Sequence, residues 1–297
     1  MNFHFHNILG GSKRTSLLKK NIAASIFIKG ISILSSLLLV PLTLDYVNKE
    51  LYGIWLTLSS IVVWINFFDI GLTLGLKNRL TEALTTHDYA RGKSLVSTTY
   101  FMMLAIFIPV SIVVMLLIPF INWPELLNVP TIYNKDIQIV LYLLVIFMTI
   151  QMFFNVLNTV VSAYQKTAMA SLFAMLGQLL SLLLIFILTR TTPPSLIGLA
   201  FAISLSPIVV LIIFSRILYT SSFKEISPSY KYIDLKQIKD LFNLGIKFFI
   251  IQIQVIVLYQ STNIIISHIS GPEAVSQYNI AYKYLGISTM IYNIILT

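Results

Sequence analysis

Apolar residues run through this chain in blocks of about 20 or more, separated by short polar turns, and no block alternates with the period of two that marks a strand. Blocks of that length cross a hydrocarbon core of roughly 30 Å, and backbone in lipid must be helical or belong to a closed barrel. The pattern therefore predicts an all-α polytopic membrane bundle of about eight spans, near 22–43, 51–75, 95–119, 137–163, 168–189, 196–218, 245–267 and 276–297.

The polar breaks are more informative than the spans. T-L-D-Y-V-N-K-E-L-Y-G-I-W at 43–55 joins spans one and two, and F-F-D-I-G-L-T-L-G-L-K-N at 67–78 ends span two with a carboxylate, Asp69, inside the apolar segment. A fainter copy of the turn, S-H-I-S-G-P-E-A-V-S-Q-Y, lies at 267–278. Aligning Glu50 with Glu273 places span one on span seven and span two on span eight. Both copies then enter the membrane from the same side, as a parallel repeat requires. The longest connection, 219–244, carries Ile233, Leu235, Ile238, Leu241 and Phe242 at near-helical spacing beside lysines, which predicts an amphipathic helix at the membrane surface. The expected organisation is a basic tail at 1–21, a six-helix lobe at 22–218, this linker at 219–244, and the first two helices of a second, truncated lobe at 245–297.

Composition agrees: 57% of the residues are hydrophobic and 10% charged, against about 25% charged in soluble domains. The chain has no cysteine, which removes disulfides, thiolate metal sites and thiol catalysis. The net charge of +9 is distributed by side rather than by patch. The N-terminal tail, the 76–94 and 164–167 connections and the 216–247 connection hold fifteen Lys and Arg, while the opposite loops hold Lys49, Lys135 and Arg190. The positive-inside rule then places the N-terminus in the cytoplasm, and attraction to anionic membrane lipids is the second reading of the same charges. Nucleic acid is not an expected partner. The first apolar run is too long for a signal-peptide core and has no small-residue cleavage site, so an uncleaved span is expected.

Ionisable groups inside spans are costly, about 2.5–3.5 kcal/mol each on insertion scales, and so require a partner, water or a route to the interface. Lys29 and Asp69 fall at matching depths, roughly 10–12 Å from the cytoplasmic ends of adjacent antiparallel spans. Two readings stand for them: a gating ion pair, or a snorkelling lysine beside a locally capping aspartate. Lys283 in span eight has no obvious partner. Ser25, Lys29, Ser32 and Ser36 share one face of span one; Gln151, Asn155, Asn158, Ser162 and Gln165 share one face of span four. Gln252, Gln260, Asn263 and Ser267 follow on span seven. Five aligned polar residues exceed what helix packing alone needs, and the span-four face is expected to border a wet cavity. Ala170, Ala174, Gly177 and Ser181 read as a close-packing seam, Pro109 and Pro207 as kinks, and Trp55 and Trp123 as interface anchors.

Catalytic patterns are missing. The four histidines, His4, His6, His87 and His268, are scattered, no loop pairs carboxylates at ligand spacing, and no Walker-type glycine loop occurs. A transporter is expected rather than an enzyme, with no cofactor and no metal.

The segment from N-I-A-A-S-I-F-I-K-G at residue 21 through V-P-L-T-L-D-Y-V-N-K-E-L-Y-G-I-W, then F-F-D-I-G-L and K-N-R-L, resembles the opening of Wzx-type polysaccharide flippases of the multidrug/oligosaccharidyl-lipid/polysaccharide exporter superfamily. The pattern of proline, polar turn, E-x-Y-G and D-x-G-L carries that resemblance. It implies two six-helix lobes, about twelve spans in all, and flipping of undecaprenyl-pyrophosphate-linked oligosaccharides across the bacterial inner membrane by alternating access, for O-antigen, capsule or exopolysaccharide. This chain ends in span eight, short of that count. The implied partners are the lipid-linked oligosaccharide, H+ or Na+ as coupling ion, and a polymerase or chain-length-regulator complex. Lys29, Gln151, Asn155, Asn158, Gln252, Gln260, Asn263 and Lys283 are the candidate cavity residues, and Lys29 with Asp69 the candidate gate. The alternatives are a multidrug or cation antiporter of the same superfamily and, from another class, a membrane polysaccharide polymerase or acyltransferase.

Overall fold

The computed structural model describes residues 13–63, 69, 71–239, 241 and 261–286, and no strand occurs among them. Its helices are α1 (Lys13–Tyr46), α2 (Lys49–Val63), α3 (Leu72–Thr85), α4 (Tyr89–Leu117), α5 (Trp123–Leu127), α6 (Asn134–Ala163), α7 (Thr167–Thr191), α8 (Leu196–Thr220), α9 (Ser261–Ser270) and α10 (Pro272–Leu285). Five stretches among the described residues are long and apolar enough to cross a membrane: Phe27–Tyr46, Tyr89–Phe120, Thr131–Ala163, Thr167–Thr191 and Leu196–Thr220. They match the expected spans one, three, four, five and six to within six residues at each end.

The second expected span is not one helix. α2 is described as far as Val63, and α3 starts at Leu72 after Gly71, whose φ of 73° is in the left-handed region open to glycine. Asp69 lies at this break, not in mid-helix. Its carboxylate accepts from the Thr73 amide at 3.2 Å and from the Thr73 hydroxyl, serving one of the amides that α3 leaves without an intrahelical partner. Period counting missed the break because the apolar run passes straight through it. If capping is the role of Asp69, Asp69→Ala costs about 1 kcal/mol in detergent-solubilised unfolding while Asp69→Asn stays near wild type. A gate that needs the charge would instead show transport failing in Asp69→Asn.

The turn between α1 and α2 is short. Asn48 caps α2, its side chain accepting from the Leu51 amide at 2.8 Å, and Glu50 sits in the first turn, where a negative charge complements the helix dipole. The Tyr133 hydroxyl donates to Glu50, and Tyr46 pairs with Thr192. In the second copy, Gly271 with φ 81° takes the cap position, and Pro272 opens α10 as proline favours. The two helices begin at Lys49 and Pro272, each immediately before the glutamate of its turn, so the helix starts keep the register read from Glu50 and Glu273.

α6 is the central helix, packed by α2, α3, α4, α7 and α8, while α1 lies on α7, and α2 carries both α9 and α10. The core runs along α6 through Val140, Leu144, Val156, Leu157 and Val160. One end of the bundle gathers the α1–α2 turn, the 118–133 connection and the α9–α10 turn: the Ser267 hydroxyl donates to the Leu127 carbonyl at 2.7 Å, and a His268 ring nitrogen is 3.1 Å from that of Leu126. Trp123 is at this end but buried, its indole N–H given to Ile118, so it is a core residue rather than a lipid-interface anchor.

The opposite end is basic. Glu82 bridges Arg79 and Arg91, Asp88 caps α4, and Tyr164 stacks on Phe223 with Lys166 over that ring. Burial raises the Tyr164 phenol above its ordinary pKa, with Tyr89 and the Glu225 carboxylate adding to the shift. The connection after α8 is largely not the expected amphipathic helix. Turns of 3₁₀ helix at Lys224–Ile226 and Tyr230–Tyr232 are strapped along α4: the Ser229 amide donates to Ser97, the Asp234 amide donates to Thr98, and Lys93 sits 4.6 Å over the Tyr232 ring. Among the described residues of the linker, α-helical backbone appears only at 236–239 and 241, and Leu241 is fully buried. Local apolar spacing suggested an amphipathic helix at the membrane surface, but buried hydroxyls on α4 hold the backbone amides of this segment instead.

Candidate functional site

Gln151, Asn155 and Asn158 sit on α6, a helix packed on several sides, yet all three are half-exposed while Val156 and Leu157 between them are fully buried. This polar face opens onto a space between helices. That space is a cavity of about 390 Å³ between α1, α6, α7 and α8, lined by these three amides and by Phe173, Gln178, Ser181, Pro207 and their neighbours. Asn158 Nδ2 donates to Asn155 Oδ1 at 2.6 Å, and the Ser162 hydroxyl turns back to the Asn158 carbonyl. Gln165 does not join the face. α6 ends at Ala163, and Gln165 takes a φ of 58°, which carries it off the helix.

The small-residue seam on α7 is real and also borders the cavity. A Cβ on Gly177 would lie 3.2 Å from the Cα of Pro207, so α7 and α8 approach closely at that point, while Ala174, Gly177 and Ser181 line the space beside it. Pro207 lies inside a continuous α8 and cannot donate to the carbonyl of Ile203. A second cavity of about 240 Å³, lined by Trp55, Ser59, Met148 and Ser204 among others, shares Gln151, Ile203 and Pro207 with the first. Gln151 thus stands between a space facing α7 and one facing α2.

Asn263 is placed elsewhere. On α9 it donates to Ser60 of α2 at 2.6 Å and accepts from Asn279 of α10 at 2.7 Å, a hydrogen-bond chain that ties α9–α10 to α2. Lys29 is half-buried on α1, and Lys283 half-buried in the last turn of α10. The ion pairs between side chains of the described residues are those of Glu82 with Arg79 and Arg91, so Asp69 and Lys29 are not joined by one, and Asp69 turns to Thr73. Gln252 and Gln260 lie outside the described residues. Sequence reasoning missed Gln178, Ser60 and Asn279. A glutamine inside the α7 apolar run was a visible signal; Ser60 and Asn279 gained meaning only from the contact that joins α2 to α9, two elements far apart in the chain. Among the described residues no cluster of His, Cys, Asp and Glu suits a metal ion.

The family model described as polysaccharide biosynthesis protein matches residues 18–297. Among solved structures, the chain is similar to one titled an inward-facing conformation of a multidrug resistance MATE family transporter of the MOP superfamily, at 17% identity and a TM-score of 0.62, covering 95% of this chain and 60% of that one. It is similar to an outward-facing conformation of such a transporter at 15% identity and the same TM-score of 0.62, covering 98% of this chain and 70% of that one. The chain thus spans 60% of the length of the first of these transporters. No match is found among curated proteins. At these identities the structural likeness speaks for the fold alone, a multi-pass helical membrane fold, and the family model speaks for descent: the chain belongs to the polysaccharide biosynthesis protein family.

Proposed function

We propose that this chain serves the flipping of undecaprenyl-pyrophosphate-linked oligosaccharides across the bacterial inner membrane, with its N-terminus and basic end in the cytoplasm. In this reading residues 22–218 form the first of two lobes, α9 and α10 open the second, and alternating access moves the headgroup while the lipid tail stays in the bilayer. The observation that carries it is the half-exposed amide face of α6, which meets a half-open cavity between helices in a membrane bundle of this family. A sugar-bearing headgroup needs water and hydrogen-bonding groups midway, and its pyrophosphate needs cations, for which Lys29 and Lys283 are the candidates. H+ or Na+ supplies the drive.

An antiporter of drugs or cations is the second reading. Such a site would be built on carboxylates, and the described lining residues of both α6 cavities are neutral, which favours the saccharide. Lys29→Ala in the full-length gene, assayed by flipping of a lipid-linked oligosaccharide in inverted vesicles, is expected to lower the rate about tenfold or more, the loss of a charge-assisted phosphate contact. Wild-type flipping would remove Lys29 from the mechanism.

A further inference from the structure

α1 and α7 pack side by side, and their C-terminal ends are level, since the hydroxyls of Tyr46 and Thr192 meet at 3.2 Å. Beside that bond an open groove of about 590 Å³ runs between the helices, walled by Leu38, Pro41 and Leu42 of α1 and by Leu182, Leu183 and Phe186 of α7. Only its mouth is charged. Asp45 completes the α1 wall, and Arg190, one turn beyond Phe186, holds its guanidinium 5.6 Å over the Phe186 ring. Both charged residues are exposed, and neither forms an ion pair or hydrogen bond through its side chain with another described residue.

The groove faces away from the polar side of α1. At about 100° per residue, Leu38 and Asp45 lie about 180° and 160° around the helix from Lys29. Leu38, Leu183 and Phe186 are exposed, and a large apolar face with a polar rim on a membrane bundle is a surface for lipid.

The two charges narrow the lipid. A guanidinium takes a phosphate through charge-assisted hydrogen bonds. A carboxylate only accepts, so it calls for a cation that donates. Phosphatidylglycerol and cardiolipin bring negative charge alone, as does an isoprenoid pyrophosphate, and Asp45 repels each of them. Phosphatidylcholine brings a cation covered by methyl groups. Phosphatidylethanolamine carries a phosphate and a primary ammonium with three donors, and so matches both side chains.

We propose that the outer ends of α1 and α7 hold a phosphatidylethanolamine molecule, its phosphate on Arg190, its ammonium on Asp45 and an acyl chain along the groove from Phe186 to Leu38. The lipid bridges the two helices beside the Tyr46–Thr192 bond and is a resident of the protein, distinct from any cargo. The inference goes beyond the saccharide reading and does not rest on it; the choice of leaflet alone follows from a cytoplasmic N-terminus.

The test is native mass spectrometry of the whole chain in tetraethylene glycol octyl ether micelles, titrated with dioleoyl phosphatidylethanolamine, phosphatidylcholine or phosphatidylglycerol. Saturable binding of phosphatidylethanolamine is expected, with the other two lipids about tenfold weaker or more, the loss of a charge-assisted contact. Asp45→Asn, which keeps the shape and removes the charge, is expected to bring phosphatidylethanolamine down to the level of phosphatidylcholine. Arg190→Gln is expected to weaken both about tenfold, since the phosphate is common to them. Glu125→Gln, at the same end of the bundle, is expected to change neither. Unfolding temperatures in the same micelles identify a variant that fails to fold, and the comparison of lipids on the unaltered protein needs no variant at all. Equal binding of phosphatidylethanolamine and phosphatidylcholine would mean two solvated charges and no site. Tighter phosphatidylglycerol, or an undiminished preference in folded Asp45→Asn, would overturn the proposal as well. One-for-one displacement of phosphatidylethanolamine by undecaprenyl phosphate would give the groove to the tail of a cargo lipid, and that too overturns it.

Discussion

Gly53→Leu is expected to detach α10 from α2. A Cβ on Gly53 would lie 1.7 Å from the carbonyl oxygen of Pro272, a backbone atom at the start of α10 that cannot swing aside. Removing a glycine from a helix interior is worth about 1 kcal/mol in favour of the substitution, whereas overpacking costs about 1–3 kcal/mol even against movable side chains. Against backbone the clash wins, and the helices must separate. The chain has no cysteine, so a Ser60→Cys, Asn263→Cys pair can report the separation without background, since the native side chains meet at 2.6 Å. Cross-linking by a short bifunctional thiol reagent is expected to be efficient with Gly53 in place and to fall about tenfold, the effect of about 1.4 kcal/mol, once leucine replaces it. Undiminished cross-linking would show that the α9–α10 pair stays on α2 without this contact.

The second large effect is expected at Gly75. A Cβ there would lie 2.2 Å from the Leu241 carbonyl oxygen, so α3 has room for the end of the linker only because residue 75 has no side chain. Gly75→Val leaves two ways to relieve the clash: shift α3, which is packed on α4 and α6, or release the linker. Release costs less, because the linker is held chiefly by a few bonds to Ser97 and Thr98 and by the burial of Phe223, Ile226 and Leu241. Tryptic cleavage after Lys236 and Lys239 in inverted membranes is the readout, and it is expected to rise about tenfold as local opening becomes easier. Cleavage at the wild-type rate would place the strain in α3 instead.

These two glycines explain much of the 43–78 stretch. In E-L-Y-G, Glu50 takes a hydrogen bond from Tyr133 and Gly53 receives the backbone of α10. In D-I-G-L-T-L-G, Asp69 and Gly71 build the start of α3 and Gly75 receives the linker. Gly53 and Gly75 mark places where another segment comes close enough to exclude a Cβ, whereas Gly71 supplies a positive φ. A single sequence shows where they stand, but the segments they receive, at Leu241 and Pro272, lie in the last quarter of the chain.

How much could be read in advance depended on whether the cause was local. Spans three to six appeared in the sequence because length and apolar composition suffice in lipid, where every backbone group must be satisfied within its own segment. The amide face of α6 was visible because residues four and three apart share a helix face. Asn263 illustrates the limit: its helix face suggests a cavity residue, and its contacts make it the middle of a chain from Asn279 to Ser60. Gln178 shows the same limit in reverse, since the residues that share its cavity come from four helices.

By itself, the sequence determined that this is a multi-pass helical membrane protein and that most of its cations fall in alternate connections, and it raised the expectation that the turn motif of 43–55 recurs at 267–278. Each follows from a property summed along the chain: hydropathy, charge and register. Only the tertiary structure decided that span two breaks at Gly71, that the linker lies along α4, and which polar groups share a cavity. Those outcomes depend on partners distant in sequence, on hydroxyls that capture a backbone amide, and on glycines whose missing side chain admits another segment of the polypeptide.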